Sequence, residues 1–187
     1  MSLLPGAKRA EHQKSRWDRD FYIEPEWCSD ALLAAAPFKG PIHDPACGEG
    51  RIVIAAKRAG YAATRRDIAD RGFGDAEIID FLKDGRPRGT LVFNAPYEAN
   101  EPFIEHAQIV AQHSVAALVR VPFLCGQERY RNIYSRHPPA LVLPFARPPS
   151  MPPGGTDIPT KGGTTDYCWL VWHIGYQGPS RMQWLAP

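Results

Sequence analysis

The 187 residues hold only four cysteines, and Cys28, Cys47, Cys125 and Cys168 stand far apart with no C-x-x-C pair. That usage excludes a disulfide scaffold and a thiol-based zinc site, and it is the usage of a reduced, cytoplasmic protein. No apolar run approaches the ~20 residues of a membrane helix, because even Ser114-Val-Ala-Ala-Leu-Val-Arg is short and interrupted. The N-terminus lacks the apolar core of a secretion signal. An excess of one charge is missing too: 22 Lys and Arg against 20 Asp and Glu leave a formal +2, too mild to announce a nucleic-acid partner by itself. The six histidines form neither H-E-x-x-H nor a Cys/His metal spacing, and neither G-x-S-x-G nor G-x-x-x-x-G-K-[ST] occurs. Metal-assisted hydrolysis, the serine elbow and the phosphate loop therefore have no signature here.

What is present is enough apolar residue, 44% of the chain, for one domain with a sizeable core. Residues 1–20 read as a flexible basic arm, with Lys8, Arg9, Lys14, Arg16 and Arg19 around Trp17. Residues 21–187 read as a single domain. Within it strand-like and helix-like segments alternate: helix over 26–36, strand over 41–44, helix over 49–59, strand over 61–67, an edge segment over 77–82 and a strand over 90–94. A helix over 101–113, a strand over 115–121, a helix over 126–136 and strands over 140–145 and 168–174 follow. Such alternation predicts an α/β fold, a mostly parallel sheet of seven strands with helices on both faces, and ligands outside the carboxyl ends of the strands.

The stretch HDPACGEGRIVIAAKRAG, from His43, is a strand, a glycine turn and a helix closed by Gly60. The turn aims backbone N–H groups and a helix dipole at a ligand. Phosphate fits poorly, since Asp44 and Glu49 would face it and Val53 stands where the third glycine of G-x-G-x-x-G belongs. A nucleoside joined to a sulfonium and an amino acid fits better, and that describes S-adenosylmethionine. Cys47, inside the turn, is placed where the dipole could lower its pKa, but a packing role against the ligand is preferred; His43 reads as a spacer.

Asp44, Asp67 and Asp80 each close or follow a successive strand, so they fall along one rim. Asp67, next to Ile68, is placed to accept both ribose hydroxyls, and Asp80 to accept from an adenine amino group with Phe81 or Leu82 against the ring. Taken singly, each is an ordinary loop carboxylate; their order groups them. Downstream, LVFNAPYEAN puts Asn94-Ala-Pro-Tyr97 directly after a strand. The Asn94 amide oxygen and the Ala95 carbonyl can accept from one amino group, Pro96 stiffens the turn and Tyr97 offers a face for stacking. Two acceptors on a planar NH2 favour the pyramidal nitrogen that attacks a methyl donor.

Asp44-Pro-Ala-Cys-Gly48-Glu-Gly50 with Asn94-Ala-Pro-Tyr97 resembles the amino-group DNA methyltransferases, especially the small adenine-specific enzymes of phages and prophages. The family's motifs are similar to D-P-A-C-G-x-G and [DNS]-P-P-[YF], and its upstream aromatic cofactor motif is similar to Asp20-Phe-Tyr-Ile-Glu-Pro25. The resemblance implies a Rossmann-like class I methyltransferase fold whose last strand is antiparallel. It implies S-adenosylmethionine as cofactor, S-adenosylhomocysteine as product and no metal. Carried over residue by residue, it implies a cofactor site of Phe21, Tyr22, Pro25, Asp44, Pro45, Ala46, Cys47, Gly48, Gly50, Asp67, Ile68, Asp80, Phe81 and Asn94. Catalysis falls to Asn94, Ala95, Pro96 and Tyr97. The expected reaction is methyl transfer to the exocyclic amino group of a flipped adenine in DNA, single-stranded or with a recognition partner.

Two departures matter. Ala95 replaces the first proline of P-P-Y, and no separate target-recognition domain fits the chain. RNA adenine, a protein glutamine amide, and a non-catalytic binding module with the cofactor fold therefore remain alternatives. The Pro, Gly and Thr-rich stretch 146–166 is either a loop closing over substrate, with Arg147 and Lys161, or an idle excursion. Arg129, Arg131 and Arg136 fall on a helix that reads as surface rather than groove wall.

Overall fold

Runs of β-branched and aromatic residues without charge build strands that must be covered on both faces, and two segments meet that description best. In Ala111–Arg120 every residue from Ser114 to Val119 is buried, and in Tyr167–His173 all but the last are. They pair antiparallel as register partners from Ser114↔His173 to Arg120↔Tyr167 and form the middle of the sheet. The computed structural model describes residues 20–186 apart from 73, 157 and 159–161; the basic arm thus lies outside the described residues except for Asp20.

In chain order the elements are α1 (Glu26–Ala35), β1 (Ile42–Asp44), α2 (Arg51–Arg58), β2 (Ala63–Asp67), β3 (Glu77–Ile78), β4 (Arg88–Phe93), α3 (Asn100–Val110), β5 (Ala111–Arg120), α4 (Gln127–Arg129), β6 (Leu141–Pro144), β7 (Tyr167–His173) and β8 (Arg181–Met182). The sheet order is β3-β2-β1-β4-β5-β7-β6-β8, and β7 alone runs against its neighbours. This is the mostly parallel sheet expected, with an eighth strand added. The addition was not legible because Arg181–Met182 is two exposed residues with no apolar alternation.

Side chains alternate across the sheet. Tyr167, Trp169 and Val171 of β7 enter the core layer under α1 and α2 with Leu32, Ile42, Ala56 and Val92. Cys168, Leu170 and Trp172 enter the opposite layer under α3, with Phe93, Ile104, Ala107 and Ile133. Trp169 is wholly buried, and its indole N–H donates to the Cys28 carbonyl at 3.0 Å, so its one polar group is satisfied. The helix expected over 101–113 ends at Val110, because Ala111 already faces Arg88 in the β4–β5 ladder. Sheet pairing overrides local propensity there. The helix expected over 126–136 begins as α4 and widens into a π-turn over Tyr130–Tyr134, which brings Ile133 fully into the core.

Candidate active site

β1 continues through α2 to β2 on one side, whereas β4 pairs with β1 on the other. Their carboxyl ends diverge at this switch point, the place where open α/β sheets bind ligands. A cleft of about 860 Å³, its mouth included, opens there. Asp44, Pro45, Ala46, Cys47 and Gly48 line it from the β1 turn, Asp67 and Ile68 from β2, and Asp80 and Phe81 from the segment after β3. Asn94, Ala95, Pro96 and Tyr97 line it after β4, and Phe21 and Tyr22 close it from before α1. Two expected cofactor residues are elsewhere. Pro25 is the extended residue that starts α1, and Gly50 starts α2 in a left-handed conformation at φ 74°, so both shape the wall from behind.

The turn is held from within. The Gly48 N–H donates to Asp67 Oδ2 at 2.9 Å, and the Cys47 N–H to the Arg66 carbonyl at 2.8 Å. Gly48 has φ 48°, and a Cβ there would sit 2.4 Å from the Phe21 ring, so both the backbone and the aromatic demand glycine. On its other side Phe21 meets Gly154 just as closely, while the Arg71 guanidinium lies 4.5 Å from the ring centroid. Gly154 belongs to the Pro and Gly-rich loop. The Ile23 N–H donates to the Pro152 carbonyl at 3.0 Å and the Gly154 N–H to the Phe21 carbonyl at 2.8 Å, so the loop clamps the aromatic segment. Arg147 rests over Trp27, 5.6 Å from its ring centroid, and Lys161 lies outside the described residues.

Acidic side chains outnumber basic ones around the cleft. Asp44 is 1% exposed and Glu24 5%. Burial, reinforced by Glu24, pushes the Asp44 carboxyl well above the carboxylate range, and burial pushes Glu24 up to about 7 against the opposing pull of the Asn94 amide. Asp44 Oδ1 accepts from the Ala46 N–H at 3.1 Å. No Lys or Arg ion-pairs with either acid among the described residues. Burial with Asp44 and Asp67 nearby also raises the Cys47 thiol to about 12. The dipole effect weighed for it is outmatched, so it packs as a thiol. Asp67 is partly committed: besides Gly48 it accepts from the Ala69 N–H at 3.1 Å and lies 3.6 Å from Arg71 Nε. Asp80 caps the short turn at Phe81–Lys83 through the Leu82 N–H at 3.2 Å and pairs with Lys83 at 2.9 Å. His43 stays behind the rim, bonded through Nδ1 to Thr64 Oγ1 at 2.6 Å.

At the end of β4, Asn94 Nδ2 donates to the Tyr22 carbonyl at 3.1 Å and to Glu24 Oε2 at 2.9 Å. Both amide protons are thereby used, and Oδ1 is the acceptor left over. The stacking face expected on Tyr97 is covered instead: Tyr22 stacks on the ring at 5.4 Å and 24°, and the Arg120 guanidinium lies 4.0 Å from its centroid. The Tyr97 and Tyr167 hydroxyls meet at 2.8 Å. The cause is register, because Arg120 and Tyr167 are partners at the β5–β7 end beside the Tyr97 turn.

Glu24, Arg120 and Tyr167 were missed in the sequence. For Glu24 a signal existed: it stands two residues after Tyr22 in an extended segment, where alternate side chains share a side. For Arg120 and Tyr167 none did, since only strand pairing brings them to the site. Among the described residues no cluster of His, Cys, Asp or Glu could hold a metal ion, and no helix is long and apolar enough to cross a membrane.

No protein-family model matches the chain, and no curated protein matches it. Solved structures do. The type I restriction-modification system methyltransferase subunit from Streptococcus thermophilus superposes with a TM-score of 0.63 at 10% identity, over 89% of this chain and 47% of that one. Magnesium protoporphyrin IX methyltransferase from Synechocystis, solved with S-adenosylhomocysteine bound, gives 0.56 at 15% identity over 94% and 89%. The fold is that of the class I methyltransferases. A Pyrococcus horikoshii protein provisionally described as an RNA methyltransferase shares this class I fold at a TM-score of 0.58 and 12% identity, over 79% and 81%. The chain spans about half the length of the restriction subunit, whereas it covers most of the other two.

Proposed function

We propose that this protein transfers the methyl group of S-adenosylmethionine to the exocyclic amino group of adenine in DNA. The observation that carries the reading is Asn94, which ends β4 in the same cleft as the Asp44–Gly48 turn and keeps Oδ1 as its unused acceptor. The cofactor fits the donor set, for Asp44 is a buried acid that no Lys or Arg of the described residues ion-pairs, and a ligand bearing sulfonium and ammonium charge supplies a cation. When bound, that cofactor supplies an electrophilic methyl carbon.

The residues of the chain then do three things. Asp44 and the glycine turn would hold the charged amino-acid end of the ligand, and Asp67, on the same cleft wall, would accept from its ribose. Asn94 Oδ1 and the Ala95 carbonyl accept from the target NH2, drawing its lone pair out of the ring and toward the methyl donor; this help grows in the transition state, where the nitrogen gains positive charge. Ala95 can still serve this purpose, because its carbonyl is what is used, though the turn loses the stiffness that proline would give and activity is weakened. Arg120 must leave the Tyr97 ring for a base to stack there.

A protein glutamine amide is the second reading, and the covered Tyr97 ring favours it, since a side-chain amide needs no broad stacking face. The test is nucleoside and peptide mass spectrometry after incubating the full chain with S-adenosylmethionine and unmethylated single- and double-stranded DNA, RNA, or protein extract. Methyladenine in DNA, lost by at least ~100-fold in Asn94→Ala with cofactor binding retained, is the expected result. Methylation untouched by Asn94→Ala would falsify the assigned site, and methylglutamine without methyladenine would establish the second reading.

A further inference from the structure

We propose that Glu24 is a positioning residue for Asn94: its carboxylate locks the amide with Oδ1 turned to the substrate amino group and strengthens that oxygen as an acceptor. This rests on the role given to Asn94 above. An asparagine amide can be turned over at little cost unless its partners distinguish oxygen from nitrogen. Here both partners of Nδ2, the Glu24 carboxylate at 2.9 Å and the Tyr22 carbonyl at 3.1 Å, are acceptors. Turned over while Glu24 is ionised, Oδ1 would face both oxygens with no proton between them. One orientation survives, and the charged partner enforces it more strongly than a neutral one.

The second effect is electronic. An N–H bonded to a carboxylate shifts electron density through the amide to its oxygen, and hydrogen bonds in series strengthen one another where water is excluded. Glu24 is 5% exposed, so this coupling is little screened. As the target nitrogen becomes cationic, the negative charge behind Asn94 stabilises it. The charged groups facing Glu24 are Asp44 at the end of β1 and Glu49 and Arg51 at the entry to α2. Asp44 and Glu49 oppose its ionisation and Arg51 favours it. With burial holding its carboxyl near 7, the group changes charge within the range where an enzyme is assayed.

Glu24→Gln separates this role from a structural one, because the Gln Oε1 can still accept from Asn94 Nδ2 while the charge is gone. Full-length wild type and Glu24→Gln are compared in single-turnover DNA methylation from pH 5.5 to 8.5 at saturating S-adenosylmethionine, with S-adenosylhomocysteine affinity measured by calorimetry. Wild type is expected to show a rate that rises with pH as Glu24 ionises. The variant is expected to lose that rise and to be slower by at least ~10-fold at pH 8, with S-adenosylhomocysteine affinity within ~3-fold. A pH profile that survives in Glu24→Gln overturns the proposal. So does an unchanged saturated rate with weakened S-adenosylhomocysteine binding, which would make Glu24 a cofactor ligand.

If wild type methylates no DNA, the proposed function fails and the positioning claim is judged by NMR alone. The Asn94 side-chain amide signals, identified by their loss in Asn94→Ala, should move through a titration near pH 7 in wild type and stay fixed in Glu24→Gln. Signals that do not titrate in wild type overturn the inference.

Discussion

Asp84 and the pair Glu24 and Asp44 are all covered from solvent, at 6%, 5% and 1% exposure, yet they titrate in opposite directions. Asp84, between the short turn after β3 and the start of β4, accepts from Arg86 at 2.6 Å, Arg88 at 2.6 Å and Arg66 at 3.1 Å. The Arg86 guanidinium, with Arg66 beyond it, holds the Asp84 carboxyl below the usual carboxylate range. Glu24 and Asp44 have an amide and a backbone N–H instead, and both carboxyls are raised. Coverage from solvent alone therefore does not decide what a carboxylate does; depth and the cations around it do. The acid whose cations are built into the fold fastens β2 to β4, whereas Asp44, which no Lys or Arg of the described residues ion-pairs, is open to a cation from outside and Glu24 is engaged by the Asn94 amide.

The largest effect expected from this contrast is at the fastened end. Asp84→Asn leaves three arginines around a neutral side chain and should cost about 3 kcal/mol, lowering the melting temperature by roughly 10 °C in calorimetry. If it did not, the network would be surface decoration. At the open end, Asp44→Asn should leave the melting temperature of the ligand-free protein unchanged or raised, because it removes a charge that burial disfavours. The same change should weaken S-adenosylhomocysteine binding by ~10-fold or more in calorimetry. A destabilised Asp44→Asn protein with intact binding would erase the distinction between the two regions.

A further effect, smaller than that of Asp84→Asn on stability, is the pH dependence of stability. Glu24 in the folded chain keeps its proton up to about 7, against an ordinary value of 4.5. The folded state therefore binds more protons than the unfolded state between those values, and Glu24 makes wild type lose stability as pH rises through them. Relative to Glu24→Gln, the loss from pH 5 to pH 7 should be about 2 kcal/mol, visible as a gap in melting temperature that widens with pH by roughly 5 °C. A gap that stays constant would mean the carboxyl titrates normally.

Most of the architecture was legible because it follows from period and order. The buried runs 115–121 and 168–174 could only be central strands, and the turn at Gly48 marked the end of β1. Asp44, Asp67 and Asp80 were placed on one rim by strand order alone, and they line one cleft together with Asn94. What escaped is what pairing decides. The amide of Asn94 is oriented by a residue 70 positions earlier, and the Tyr97 ring is covered by Arg120 and touched by Tyr167, which meet through a β5–β7 register that no local pattern encodes. Cys47 shows the same limit in electrostatics: its turn suggested a lowered pKa, but two neighbouring acids and burial raise it.

The clamp on Phe21 ties residues 21–23 to residues 152–154. One wall of the cleft is thus written near the beginning of the described chain and held in place from its far end. A nascent chain leaving the ribosome N-terminus first exposes the glycine turn, the rim acids and Asn94 long before Pro152 and Gly154 arrive to fix the aromatic over them. The cleft is consequently among the last parts of the molecule to be completed, and a truncated chain that stops after β6 would carry nearly all of the cleft-lining residues without the segment that fastens its wall.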